Sequence, residues 1–429
     1  MQYNLSPSSF SDFRSPNTGL LDSGFWILDF DFMLKIRTPH FLVSPQSSST
    51  NPKMQVAPAE ILLAIASNLR AKDFRNFRLV DKKIANTTLC LIPKNGLSVL
   101  NTVRSLQGLK QLLGCPAISN NVREVTLFHG EWPICSRREW ETHPLLCGGN
   151  DRTNACGIYP VESSLANIAF AEYEAFVTEE QSRRLSDDVI CLFEILQLLP
   201  NLRKFAITHI DCFACQRAAT AKYHSLQRRI WLTPYQDHDV APAVRLFFLA
   251  AGKGFPNIKE FGIKGTLDPA SLEIPQSAPE FSTLNISCFG LPGSEITVQK
   301  FLQSFTNLNA LSISFHGWGP SIPVGIGRLF WAHLSFLHLS GVWASEEEFY
   351  SLFNNHRDSL HQFTLHNAAL TQGSWKSLFT RMRGISSLAQ VLANGELYGR
   401  RNKDTIYMHA NRIDLLAKFM QDQNLPWPF

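Results

Sequence analysis

Cys212-Phe213-Ala214-Cys215 is the first place in this sequence where spacing alone could do chemistry. Two thiols at this spacing can clamp a metal ion or exchange with a disulfide. Cys135, Cys147 and Cys156 lie upstream with His143, in a stretch rich in Gly and Asn. A structural zinc site takes four ligands, usually with a second Cys-x-x-Cys or a His pair at finger spacing, and neither is present. Buried, unligated cysteine is therefore the expectation, with no metal and no cofactor. Other reactive patterns are missing too. The chain has no Gly-x-Ser-x-Gly elbow, no His-Glu-x-x-His and no phosphate loop ending in Gly-Lys-Ser/Thr. Gly325-Ile326-Gly327 lacks the third glycine of a dinucleotide loop. No catalytic residue is nominated.

Composition points away from several other classes. A chain of 429 residues with 45% hydrophobic and 18% charged side chains can bury a large core. Its formal charge of +4 is mild, and the pairs Arg137-Arg138, Arg183-Arg184, Arg228-Arg229 and Arg400-Arg401 are scattered. Nucleic-acid binding, which needs a concentrated basic face, is not expected. No apolar run is long enough to span a membrane. The apolar segment from Gly24 to Leu34 contains Asp29 and Asp31 and lacks the flanks of a signal peptide. Nine cysteines without such a signal favour reduced thiols in the cytoplasm or nucleus. Residues 1–53, rich in Ser, Pro and Asn, read as a mostly disordered leader.

Residues 54–95 form a compact helical pattern. Pro58 suits the first turn of a helix. Ile61, Leu62, Ile65 and Leu69 follow on one helical face. Asp73 is placed to cap a second helix carrying Phe74 and Phe77 and ending at Leu79-Val80. A third starts near Asp81, with Ile84 and Thr88 inward and Lys82-Lys83 solvated. So small a unit cannot hide all these apolar groups, so it must pack on a partner or on the rest of the chain.

The same stretch resembles an F-box, in its Pro58-Ala59-Glu60-Ile61-Leu62 opening, Leu69 and Arg78-Leu79-Val80. It departs from the family at Ala57, where a Leu is usual, and at Lys83 or Ile84, where an aromatic is common. The resemblance implies docking on a Skp-type linker subunit and, through it, on a cullin. Its linker contacts would be Pro58, Ile61, Leu62, Ile65, Leu69, Leu79 and Val80.

A repeat runs through the rest of the chain. The pattern φ-x-x-φ-x-φ, with φ apolar, recurs at Ile258/Phe261/Ile263, Phe281/Leu284/Ile286, Leu308/Leu311/Ile313, Leu334/Leu337/Leu339 and Leu360/Phe363/Leu365. First positions are 23, 27, 26 and 26 residues apart, within the leucine-rich-repeat range. Earlier copies at Val122/Val125/Leu127 and Leu202/Phe205/Ile207 leave gaps of 80 and 56 residues, where degenerate or insertion-bearing units are expected. Helical patterns fill the later intervals: Val298/Phe301/Leu302/Phe305, Trp375/Leu378/Phe379/Met382, and Phe349/Leu352/Phe353 behind a capping-box spacing at Ser345–Glu348. The expected fold is mixed α/β: a short three-helix F-box followed by an irregular, leucine-rich-repeat-like solenoid over 96–400. An insertion is expected at about 131–180 and a capping tail at 401–429, where Ile413, Leu416, Ala417 and Met420 share a face. A conventional mixed α/β domain is the alternative.

Strand alternation assigns the opposite, concave face to Lys204, Thr208, Glu260, Lys264, Asn285, Ser287, Ser312, Ser314, Phe336, His338, Gln362, Thr364 and His366. Such a polar surface suits a folded protein or peptide. F-boxes followed by leucine-rich repeats are a recurrent arrangement, frequent in filamentous fungi. The expected function is thus a substrate-recognition adaptor of a cullin–RING ubiquitin ligase, binding an unknown protein substrate and catalysing nothing itself. A protein-binding scaffold outside any ligase is the alternative. An enzyme or metal site in the Cys-rich insertion is a third reading.

Overall fold

The computed structural model describes residues 58–69, 71–92, 96–142, 163–210, 226, 230, 239–252, 258–272, 280–288, 295–315, 325–383, 385, 387–399, 405–408 and 410–429. Three short helices open it: α1 (Ala59–Ser67), α2 (Ala71–Val80) and α3 (Lys82–Thr87). Pro58 is the N-cap of α1, and Asp81 caps α3 by accepting the Lys83 N–H at 2.6 Å. Asp73 is no cap: α2 starts at Ala71 and holds Asp73 inside its first turn, where a carboxylate still suits the positive end of the helix. Ile84 and Thr88 are buried as the spacing requires.

Strand β1 (Leu97–Leu100) leads to α4 (Val103–Leu113) and α5 (Pro116–Ser119), then β2 (Glu124–His129). Next come α6 (Arg137–Thr142), α7 (Ser163–Gln181), α8 (Leu185–Gln197), β3 (Lys204–His209), α9 (Ala241–Ala251) and β4 (Glu260–Lys264). Then follow β5 (Thr283–Cys288), α10 (Glu295–Gln303), β6 (Ala310–Phe315), β7 (Phe336–Ser340), β8 (Trp343–Ala344), α11 (Glu346–Asn355) and β9 (Gln362–His366). The chain ends with β10 (Ala369–Leu370), α12 (Trp375–Met382), β11 (Gln390–Leu397), β12 (Ile406–Met408) and α13 (Ala410–Gln421).

Ten strands form one sheet in the order β1-β2-β3-β4-β5-β6-β7-β9-β11-β12, while β8 and β10 make a two-stranded sheet. Every neighbouring pair is parallel except β11 with β12. The order never reverses, so this sheet has no switch-point crevice of the doubly wound kind. All seven expected strand copies are strands of this sheet, and their inward residues line up laterally. Val125, Phe205, Phe261, Leu284, Leu311, Leu337 and Phe363 form one row. Leu127, Ile207, Ile263, Ile286, Ile313, Leu339 and Leu365 form the next. All are buried in a single apolar cluster that also takes in α4, α8, α9, α10, α11 and α12.

Within that cluster Phe247 of α9 stacks on Phe205 at 4.4 Å and on Phe261 at 4.8 Å between ring centroids, bridging two strands. The capping box of α11 forms in both directions, with Ser345 Oγ accepting the Glu348 N–H and the Glu348 carboxylate accepting the Ser345 N–H.

Two expectations about the repeats are corrected. No degenerate strand intervenes in this sheet: β2 pairs residue for residue with β3, and β3 with β4. Among the described residues the extra length carries α6, α7, α8 and α9, as insertion-bearing units would. Helices also do not follow every strand. Among the described residues, only short 3₁₀ turns at Pro269–Ser271 and Ile326–Arg328 stand between β4 and β5 and between β6 and β7.

Candidate functional site

The first helix divides its apolar side chains between two stripes. Leu62 and Ala66, one turn apart, are both buried, Ala66 within the main cluster, and Leu69 packs against that cluster from the edge. The adjoining stripe faces out: Ile61 is 51% and Ile65 42% exposed, and on α2 Leu79 is 61% and Val80 64% exposed. Pro58 is exposed as well. Of the residues expected on one linker-facing surface, Leu62 is therefore turned inward and Leu69 is half-buried. Ala66 and Phe74, both buried in the main cluster, and Leu69 against it attach the unit to the rest of the fold. Exposed apolar groups of this number on one small unit mark an interaction surface.

The second surface is the polar face of the sheet. All thirteen residues assigned to it lie on that face at the expected alternation, half-buried or, for Lys264, exposed. Their lateral register makes rows: Lys204–Glu260, then Asn285–Ser312–His338–Thr364, and Thr208–Lys264–Ser287–Ser314, with Ser340 beside His366. Ionised groups cluster at one end. Glu124, Lys204, Glu260 and Lys264 belong to β2, β3 and β4, with Lys204 Nζ 3.7 Å from a Glu260 oxygen. From β5 to β9, and in β11 as far as Asn394, the face positions in register carry Thr, Asn, Ser, Ala, Phe, His, Gln and Leu, with no Asp, Glu, Lys or Arg. Burial holds the His338 and His366 imidazoles below their ordinary pKa, and a charge on His366 lowers His338 further. Near neutral pH this half of the face is uncharged.

Sequence reasoning missed Ser340 and the whole of β11, whose Gln390, Leu392 and Asn394 continue the rows beside Gln362, Thr364 and His366. A signal for β11 existed. Leu388, Val391 and Ala393 repeat the φ-x-x-φ-x-φ spacing with an alanine in the last place. β1 lacks it, because Lys94 stands where the first apolar residue would be.

The insertion after β2 is more than a loop. Trp140, Ala169, Tyr173, Phe176, Val177 and Ile230 form a separate small core, with Trp132 and Leu226 against it. The Trp140 indole N–H donates to the Ile230 carbonyl at 3.0 Å, and the Tyr173 hydroxyl donates to the Pro133 carbonyl at 2.8 Å. Trp132 and Leu226 also reach Leu100, Phe128 and Ile210 at the ends of the first strands. An ionic cluster fixes the hairpin of α7 and α8 to the same place. Arg183 donates to both oxygens of Asn101, main chain and side chain, and pairs with Glu180 at 2.8 Å and Asp188 at 3.0 Å. Burial raises the Glu180 carboxyl pKa, against the pull of Arg183 and the Val103 N–H.

Of the cysteine residues considered as ligands, Cys135 meets the Tyr173 hydroxyl at 3.3 Å, whereas Cys147, Cys156, Cys212, Cys215 and His143 lie outside the described residues. Among the described residues no group of three or more metal-ligating side chains converges. Nor is any described helix long and apolar enough to cross a membrane. No protein-family model matches the chain, and no curated protein matches it.

Proposed function

We propose that this protein is the substrate-recognition adaptor of a cullin–RING ubiquitin ligase. Helices α1–α3 dock on a Skp-type linker, and the polar face of the sheet, as an irregular leucine-rich-repeat array, holds a protein substrate. The chain itself does no bond chemistry; it raises the substrate's effective concentration at the ligase, in the cytoplasm or nucleus. The observation that carries this reading is the outward stripe of Ile61, Ile65, Leu79 and Val80, at positions where an F-box meets its linker. The uncharged rows from β5 to β11 support a protein substrate over a nucleic acid, which needs cationic groups.

Co-purification with the linker tests it, comparing wild type with Ile61→Asp/Leu79→Asp. Two carboxylates at an apolar contact cost several kcal/mol and abolish a typical interface. Leu62 is unsuited to this test, because its replacement would disturb the core. A scaffold outside any ligase is the second reading, favoured by the packing of Ala66, Phe74 and Leu69 on the main cluster. Failure of the wild type to bind the linker would leave that reading standing alone.

A further inference from the structure

Two histidines near the C-terminal end of the sheet are held in one protonation state by their neighbours. His356, just after α11, is 1% exposed and lies between the rings of Phe330 and Trp331, at 5.6 and 5.9 Å. The Trp331 backbone N–H lies 2.9 Å from Nε2 and can only donate, so Nε2 keeps its lone pair. The ring proton therefore sits on Nδ1, 2.7 Å from the Leu352 carbonyl oxygen.

His366 reaches the same state by another route. Asn367 is the only non-glycine residue with positive φ among the described residues, at 47°. Its Oδ1 accepts the Glu396 N–H at 2.9 Å, which turns its Nδ2 toward His366 Nε2 at 3.0 Å. Nε2 must again accept, and the ring donates instead to the Asn394 backbone. Strand β11 is shaped to this contact: Gly395 has φ 74°, and a Cβ there would fall 2.1 Å from Asn367 Oδ1.

A second proton on either ring would meet a donor rather than an acceptor. We propose that His356 and His366 form an acid-operated latch. Neutral, they tie α11 to the segment before β7 and tie β9 to β11; protonated, they release residues 329–370 before the rest of the sheet opens. The latch would control access to the C-terminal half of the polar face, and it stands whether or not the linker is bound.

The surroundings add little charge. Around His356, Arg357 and Asp358 pair with each other at the surface, and Arg328 and His333 of the preceding segment face solvent. On the α12 side Lys376 is exposed, and Arg381 is engaged by Glu346 and Glu347. Around His366, β7 offers His338, β11 offers Glu396 beyond Asn394, and β12 offers Tyr407. Burial is the first cause lowering the pKa of both rings, partly offset by the Leu352 and Asn394 backbone contacts.

Histidine C2 exchange read by mass spectrometry on the full chain gives each ring's titration. Both rings are expected to titrate below a histidine model peptide; titration at or above it overturns the latch. Backbone exchange at about pH 7.5 and about pH 5.5 gives the second readout, with residues 329–370 losing roughly tenfold more protection than β4–β6. In His356→Gln/His366→Gln that difference should vanish, whatever the variant's overall stability. A uniform loss in wild type, or a difference that persists in the variant, overturns the proposal. Should the variant fail to fold, the wild-type ring titrations decide alone.

Discussion

Arg383 holds Phe419 in two ways at once: its Nε donates to the Phe419 carbonyl at 2.6 Å, and its guanidinium lies 3.4 Å from the centroid of the same residue's ring. Its other nitrogens donate to the carbonyls of Asp422, Gln423 and Leu425. One side chain thus joins a carbonyl of the last turn of α13 to three in the segment that follows it, on the helix that packs Leu416 and Phe419 into the main cluster.

Arg383→Ala should therefore lower stability by about 2–4 kcal/mol through lost charge-assisted bonds and ring packing. Arg383→Lys should recover only a minor part, since an ammonium cannot span four carbonyls and a ring. Urea unfolding reads the total. Backbone exchange should place the added opening in α13 and β12.

Ile61 and Leu62 are neighbours with opposite roles. Leu62→Ala, at 1% exposure, should cost roughly 2–5 kcal/mol, while Ile61→Ala should change stability by less than about 0.5 kcal/mol. Linker binding should respond in the reverse order. Thermal melts beside a pull-down with the linker separate the two.

Acid should destabilise the chain. His338, His356 and His366 all have pKa values lowered on folding from the ordinary 6.5, so the unfolded chain binds more protons. Their contribution is complete above that value and is lost as pH falls below it toward the folded values. Urea midpoints taken across this window should decline on acidification, and His356→Gln should flatten the slope even where it lowers the plateau.

A substrate seated on β5–β9 and the first part of β11, as far as Asn394, should bind with little dependence on salt near neutral pH, because no ionised side chain occupies those face positions. Affinity should change by less than about threefold between low and high ionic strength, since screening acts only on charges. Calorimetry with a captured substrate checks this. Thr364→Glu should weaken it by introducing an unpaired carboxylate among neutral groups.

Local periodicity made much of this molecule legible. Val125, Phe261 or Leu337 had to be inward because alternation has period two and one sheet face is buried, so the strand copies announced themselves along with their polar partners. The capping box at Ser345 and Glu348 was equally readable, being a contact made within one turn. Three-dimensional packing decided what spacing cannot express. Ile61 and Leu62 are chemically alike, and only the packing of the folded helices selects Leu62 for burial and leaves Ile61 exposed. The strand copies on either side of the long gaps are neighbours in space, and the described residues between β2 and β3 carry helices α6, α7 and α8 and no further strand. The Asn367–Glu396 bond joins residues 29 apart, and it orients the amide that meets His366. A sequence records which residues prefer to be buried or bonded; which of several equivalent candidates meets a partner depends on contacts that exist only once distant segments have packed.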